Sequence, residues 1–422
     1  MNSFLELGTA PFFIERLAGR DIDGPTEIQR LALPPLFAGE SVLFSSATGT
    51  GKTFAYLIPL FQSLFLPGGG AAENDTNDGE RRAGWPRLLI CAPTYELCSQ
   101  IKGEADFLLW GLPVKTAPLK AGLVIGASAM GRQIDTLKKD KPRVIIGNPG
   151  RLLQLARMGK LRLKAVEALV LDEGDRLTAD ELFAGTRELV SLANPHRQTV
   201  ACSATVPAGS RERLIPLMGG APRIIHTGNL DALRGAIEHW AVFSEERRKI
   251  SVLRSVVAAA APRKALVFTT RPWQVENIAS QLRYHHLAAD ALHGDMDKNM
   301  RKQALENFRR GRTGVLVTSD LAARGLDISG VTHVIALDVP ETGDPYLHRA
   351  GRTGRAGNRG VMISIGDENE LRRLAKLEKK LGIRICPKEL YKGKILAPPD
   401  DSERSNEAAS GIRSGSGSRT RG

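Results

Sequence analysis

Short apolar runs recur along this chain with helical patterns between them, and that alternation limits the fold more than any other feature. Val42-Leu43-Phe44, Leu88-Leu89-Ile90, Val144-Ile145-Ile146, Leu169-Val170-Leu171 and Thr199-Val200-Ala201 form a first set. Ala265-Leu266-Val267-Phe268, Val315-Leu316-Val317, Val334-Ile335-Ala336 and Val361-Met362-Ile363-Ser364 form a second. A strand wetted on one face alternates apolar and polar residues, whereas a continuous apolar run suits a strand covered on both faces. Alternation with helices then predicts an α/β fold with two tandem, mostly parallel sheets, each with helices on both faces. The length of 422 residues suits two domains plus a tail. The break is expected near residues 228–246, which contain one more candidate strand, Glu238 to Phe243. The expected domains are therefore residues 1–230 and 231–396, with a disordered Ser/Gly/Arg tail at 397–422. Residues 67–86 are Gly-rich and polar and read as a mobile loop.

Hydrophobic content of 42% and charged content of 25% describe an ordinary globular chain. No apolar run approaches the ~20 residues of a membrane helix. Met1 to Leu7 has no basic, apolar-cored or Arg-rich leader pattern, so an intracellular protein without membrane contact is expected. Cys91, Cys98, Cys202 and Cys386 form no CxxC pair or zinc spacing and read as reduced, packed thiols. A net charge of +13 favours a polyanionic partner or a solvated basic surface.

The segment Ser46-Ala47-Thr48-Gly49-Thr50-Gly51-Lys52-Thr53 lies between the run Val42 to Phe44 and a helical pattern from Phe54. That is the context of a phosphate loop: small residues let backbone N–H groups approach phosphates at a helix N-terminus. Lys52 is placed for the β- and γ-phosphates of ATP and the Thr53 hydroxyl for Mg²⁺. The run Leu169 to Leu171 ends in Asp172-Glu173-Gly174-Asp175. An acid at the carboxyl end of a parallel strand beside a phosphate loop is a metal-side acid, here Asp172. Glu173 is placed to orient and deprotonate the attacking water.

These motifs resemble the DEAD-box RNA helicase family of helicase superfamily 2, in the family's order, from Phe4 to about Leu396. Gly24-Pro25-Thr26-Glu27-Ile28-Gln29 resembles the Q motif, with Phe4 as the aromatic 25 positions before Gln29. The resemblance implies that Gln29 selects adenine, since an amide donates and accepts together. Pro93-Thr94-Tyr95-Glu96-Leu97 resembles motif Ia, with Tyr95 in place of Arg. Gly126-Ala127 stands at the family's Gly pair, and Asn148-Pro149-Gly150-Arg151 resembles motif Ib. In the family these loops grip the RNA backbone, which implies RNA contacts for Pro93, Thr94, Gly126, Pro149, Gly150 and Arg151. Ser203-Ala204-Thr205 resembles motif III, which implies that Ser203 and Thr205, with Asp175, couple the metal-side acids to domain closure. Gly174 replaces the Ala of Asp-Glu-Ala-Asp. The expectation is a mild change, one methyl fewer and a looser turn.

The second half continues the likeness. Leu266-Val267-Phe268-Thr269-Thr270 resembles motif IV. His293-Gly294-Asp295-Met296 with Arg301 resembles the next segment, where Lys298 stands for the usual Gln. Thr318 to Asp327 resembles motif V, and His348-Arg349-Ala350-Gly351-Arg352-Thr353-Gly354-Arg355 matches motif VI. The resemblance implies RNA contacts for Arg301, Ser319, Arg324 and Gly325, and a ribose contact for Asp327. It implies a catalytic role for His348 and γ-phosphate fingers for Arg352 and Arg355. The other reading of the Arg run is a basic patch for RNA phosphates, with Arg349 or Arg324 as its main members.

The resemblance implies two RecA-like domains and an ATP phosphohydrolase whose RNA-stimulated turnover closes the domains and locally unwinds RNA. The substrate is ATP with Mg²⁺. Single-stranded or duplex RNA would be held largely without sequence preference. A monomer in a bacterial cytoplasm, with ribonucleoprotein partners, completes the expectation. Two other readings stay open: an ATP-gated RNA clamp or scaffold, and a DNA-directed superfamily 2 helicase.

Overall fold

The computed structural model describes residues 3–46, 50–66, 85–113, 119–126, 128–227, 235–294, 296–323, 328, 330–354 and 358–398. Ala47, Thr48, Gly49, Arg324, Gly325, Asp327 and Arg355 lie outside the described residues, as do most of the expected loop at 67–86 and nearly all of the expected tail. The chain divides into two compact units, each built on its own sheet.

The first unit holds strands β1 (Val42–Ser45), β2 (Leu88–Cys91), β3 (Ala121–Val124), β4 (Val144–Gly147), β5 (Ala168–Asp172), β6 (Gln198–Ser203) and β7 (Arg223–His226). Among the described residues they form one sheet in the order β3-β4-β2-β5-β6-β1-β7, parallel throughout. Successive residues of a strand point to opposite faces, and both faces are packed here. Val42 and Phe44 join one buried cluster while Leu43 joins the other. Leu88 and Ile90 divide from Leu89 and Cys91 in the same way. This double covering is why the runs carry no polar alternation.

The second unit holds β8 (Ile237–Phe243), β9 (Ala265–Thr269), β10 (Ala289–Leu292), β11 (Val315–Ser319), β12 (His333–Ala336), β13 (Gly360–Gly366), β14 (Ile385–Tyr391) and β15 (Lys394–Leu396). Their order is β10-β11-β9-β12-β13-β8-β14-β15, parallel except for the β14–β15 hairpin.

The apolar runs locate the interior strands of both sheets, and Glu238 to Phe243 lies within β8. The strands that the sequence does not reveal are β3, β7, β10 and the β14–β15 hairpin, all at or beside sheet edges. An edge strand has a neighbour on one side only and tolerates polar residues, Gly and Pro. Gly122 in β3, Asp290 in β10 and Pro387 in β14 interrupt the pattern there. Cys91, Cys98 and Cys202 are buried free thiols and Cys386 is a half-buried one, as expected. Among the described residues no helix is long and apolar enough to cross a membrane.

Candidate active site

The strand register assembles the first unit's acids and its phosphate loop. Ser45 of β1 lies opposite Ser203 of β6, and Asp172 of β5 lies opposite Cys202 of β6. Three neighbouring strands thus deliver Ser46, Asp172 and Ser203 to one stretch of the sheet's carboxyl edge. Ser46 N–H donates to the Ser203 carbonyl at 3.1 Å, tying the start of the loop to the end of β6.

The helix Lys52–Phe65 begins at Gly51, whose φ of +87° is left-handed and strained for any residue with a Cβ. Lys52 Nζ donates to the Ser46 carbonyl at 2.6 Å, and the Ser46 and Thr50 hydroxyls pair at 2.7 Å. Lys52 and Thr53 therefore start a helix at the mouth of the loop, where N–H groups and the helix dipole favour an anion.

Asp172 is buried and receives three donors. Tyr56 Oη–H donates to Oδ2 at 2.8 Å, the Glu173 N–H to Oδ1 at 2.9 Å, and the Cys202 thiol to Oδ1 at 3.3 Å. Burial first, then the charge of Asp172, pushes the Tyr56 hydroxyl and the Cys202 thiol well above their ordinary values, so both remain donors. Burial also raises the Cys98 thiol, to about 12. Tyr56 and Cys202 were not foreseen from the sequence. Tyr56 had a usable signal: it lies four residues after Lys52 and so shares its face of the helix. Glu173 itself is left-handed, φ +50°, an uncommon conformation that costs energy and clusters at functional sites. Asp175 Oδ1 accepts the Ser203 hydroxyl at 2.6 Å, which links the acidic turn directly to the Ser203-Ala204-Thr205 segment.

Gln29 is buried, with its amide committed to protein groups: Oε1 accepts the Thr26 N–H at 2.9 Å and Nε2 donates to the Gly51 carbonyl at 3.1 Å. Phe4 is 3% exposed and belongs to the core. The resemblance implies an adenine contact for Gln29 and groups Phe4 with the ATP-binding residues. In the structure Gln29 packs beside the phosphate loop with little surface free, and Phe4 is enclosed in the apolar core.

On the same carboxyl edge, β2, β4 and β3 carry the other set of loops. Thr94 caps the helix Tyr95–Leu109 by accepting the Leu97 N–H at 3.3 Å, and Asn148 caps Pro149–Arg157 by accepting the Arg151 N–H at 3.3 Å. Two helix N-termini therefore open side by side, because Cys91 pairs with Gly147. Gly126 follows β3, the next strand, and is exposed. The Arg151 guanidinium donates to the carbonyls of Gly126 at 3.0 Å and Ser128 at 3.1 Å. It braces this loop, a use the sequence did not reveal.

In the second unit Arg301 donates to the carbonyls of His293 at 3.2 Å and Ala322 at 3.1 Å, and Ser319 Oγ accepts the Ala322 N–H at 3.4 Å. Arg352 follows the helix Gly343–Ala350 and is buried, His348 within that helix is half-buried, and the Thr353 hydroxyl donates to the Val331 carbonyl at 2.7 Å. Arg349 corrects one expectation. It is 1% exposed, grips Asp320 with two nitrogens at 2.6 and 2.5 Å, and donates to the Asp338 carbonyl at 2.7 Å. A guanidinium so enclosed is no member of a phosphate-binding patch; it joins the ends of β11 and β12.

The DEAD/DEAH box helicase family matches residues 26–214, and the helicase conserved C-terminal domain matches residues 248–357. The chain is 34% identical over 371 residues to the DEAD-box ATP-dependent RNA helicase CshC of Bacillus cereus, across 88% of this chain and 89% of that relative. It is 31% identical over 371 residues to the probable ATP-dependent RNA helicase YfmL of Bacillus subtilis, across 88% and 92%. Its fold is similar to that of Saccharomyces cerevisiae Dbp5 bound to RNA and ADP BeF3, with a TM-score of 0.77 at 24% identity over 98% of this chain and 100% of that one. Two parallel-sheet α/β units, the motif order and these matches together make this chain a member of the DEAD-box RNA helicase family.

Proposed function

We propose that this protein hydrolyses ATP under stimulation by RNA and uses the cycle to open short RNA duplexes. The observation that carries this is the order of strands along one edge. β1, β6 and β5 bring the phosphate loop, Ser203 and Asp172 together, and β2, β4 and β3 bring two helix N-termini and Gly126 alongside. An ATP site and a backbone-binding RNA site then share one rigid sheet.

In this reading residues 1–230 bind ATP, through Lys52 on the β- and γ-phosphates. Glu173 accepts a proton from the attacking water. The oxygen donors Thr53 and Asp172 suit Mg²⁺, and Tyr56, Cys202 and the Glu173 N–H hold the Asp172 carboxylate in place. Mg²⁺ there would neutralise charge on the β- and γ-phosphate oxygens. Thr94, Gly126 and the N-terminus at Pro149-Gly150-Arg151 take the RNA backbone, which needs no base sequence. Residues 231–396 supply Ser319 and Arg301 to RNA and Arg352, Arg355, His348 and Asp327 to ATP. Closure of the two domains would complete the site and bend the strand, which melts a few pairs; hydrolysis would release it.

The test compares ATP turnover with matched RNA and DNA strands, then duplex release with ATP and with a non-hydrolysable analogue. RNA-selective stimulation with duplex release is expected. Equal stimulation by DNA would remove the RNA assignment, and RNA retention without release would favour a clamp.

A further inference from the structure

The acidic turn Asp172-Glu173-Gly174-Asp175 carries glycine where the family's name has alanine, and the structure shows what occupies the space. Gly174 starts the helical turn Gly174–Leu177, so a left-handed backbone is not the reason for it. A Cβ at Gly174 would stand 3.1 Å from Leu214 Cδ1 and 3.2 Å from Cδ2. Leu214 is fully buried on the helix Ala208–Leu217, which follows the Ser203 segment. The next residue back, Arg213, pins that helix to the same region by donating to the Thr178 carbonyl at 2.8 Å and to Asp180 Oδ1 at 2.7 Å. Thr178 in turn donates its hydroxyl to the Gly174 carbonyl at 2.9 Å. The acidic turn is thus held by polar bonds on two sides, from Ser203 and from Thr178, with Leu214 pressed on the glycine between them.

We infer that Gly174 and Leu214 are a size-matched pair and that Leu214 is a positioning residue for Glu173. The leucine takes the space that a methyl at 174 would need and so sets the seat of the turn. With Leu214 in place, alanine at 174 would have to move the turn or the leucine by a few tenths of an ångström, since packed interiors leave no slack. Glu173, adjoining that turn and in a strained conformation, would shift with it. The inference rests on the reading of Glu173 as the group that activates water.

A double-mutant cycle of Gly174→Ala, Leu214→Ala and the pair tests it, with Tm and RNA-stimulated turnover read on the full chain. Gly174→Ala should lower kcat about tenfold with KM for ATP within about twofold, because a small misplacement acts on chemistry more than on binding. Leu214→Ala should lower Tm through the cavity it opens. The double variant should regain most of the kcat lost in Gly174→Ala. Unchanged kcat in Gly174→Ala, or no recovery in the double variant, would overturn the positioning role; a fall in Tm without a fall in kcat would do so too. Absence of turnover in the unaltered chain would overturn the reading of Glu173 and with it the positioning role, whereas non-additive Tm values would still report the size match.

Discussion

Gln29 Nε2 donates to the carbonyl of Gly51 at 3.1 Å, and a Cβ on Gly51 would lie 2.5 Å from that same nitrogen. The side chain that the resemblance assigns to adenine is therefore also the strut under the left-handed turn of the phosphate loop. Its other amide atom closes the capping box of the helix Glu27–Phe37. One residue joins the helix Glu27–Phe37 to the phosphate loop.

Gln29→Glu keeps length and shape but removes the donor to Gly51. A buried acceptor left opposite a carboxylate costs about 1–3 kcal/mol. Thermal melting should show a lower Tm, and ATP affinity should fall. An unchanged Tm would mean that the Gly51 contact contributes nothing.

Tyr56→Phe removes one of three donors to Asp172 and leaves the ring in place. A hydrogen bond to a charged group is worth about 1.5–3 kcal/mol, so stability should fall by about that amount. The Mg²⁺ concentration needed for nucleotide binding should rise. Titration of nucleotide binding with Mg²⁺ checks this, and an identical midpoint would remove Tyr56 from the site.

Lys52→Ala should abolish ATP binding or turnover, whereas Glu173→Gln should keep ATP binding and lose turnover by about 10²-fold or more. Measuring affinity and kcat separately distinguishes the two roles. Normal turnover in Glu173→Gln would pass the water-activating role to another group.

Arg349→Ala should destabilise the fold before it alters RNA affinity. Removing the buried guanidinium takes this donor from the half-buried Asp320 carboxylate and from the Asp338 carbonyl, a cost of about 1–3 kcal/mol. A normal Tm with weakened RNA binding would restore the phosphate reading that burial argues against.

The second unit also contains a buried charge cluster that makes stability depend on pH. Burial alone would raise the Asp338 carboxyl, but the Thr270 N–H, the Thr269 hydroxyl and the charges of Lys249 and Arg271 hold it below its ordinary range. Burial alone would lower the Lys249 ammonium, but Glu370, Glu246 and Asp338 hold it above its ordinary range. Lys249 Nζ lies 2.7 Å from Glu370 and 2.9 Å from Glu246. For Asp338 the folded value is the lower one. Its contribution is present above the unfolded value, about 4, and is lost as pH falls through the folded value. For Lys249 the folded value is the higher one. Its contribution is full below about 10.4 and is lost as pH rises through the folded value. Asp338→Asn should therefore flatten the acid limb of a Tm–pH curve and, by removing one of the three carboxylates that hold Lys249, soften the alkaline limb to a smaller degree. An acid limb of unaltered steepness would place the proton uptake elsewhere.

Much of the fold was legible because its signals are local. Val42-Leu43-Phe44 must be apolar throughout when both faces of β1 are covered, and a loop that cradles phosphate needs Gly51 and Lys52 at fixed spacing before a helix. The edge strands were not legible, because Gly122 in Ala121 to Val124 and Asp290 in Ala289 to Leu292 break the continuous apolar run that marks an interior strand. Within the site the acids Asp172 and Glu173 were readable from their place after an apolar run. Their supports were not: Tyr56 and Cys202 reach Asp172 from another helix and another strand, and Leu214 reaches Gly174 across forty positions.

The sequence by itself determined the fold class and the family, and it nominates the chemistry-bearing residues, since each depends on residue type at short spacing. Only the tertiary structure decided how those residues are held. Arg349 carries the same charge in a phosphate patch as in a buried clasp on Asp320, and Gly174 is the same glycine in a loose turn as beneath a leucine. Burial and partner identity separate these cases, and both depend on which distant strands and helices the fold brings side by side.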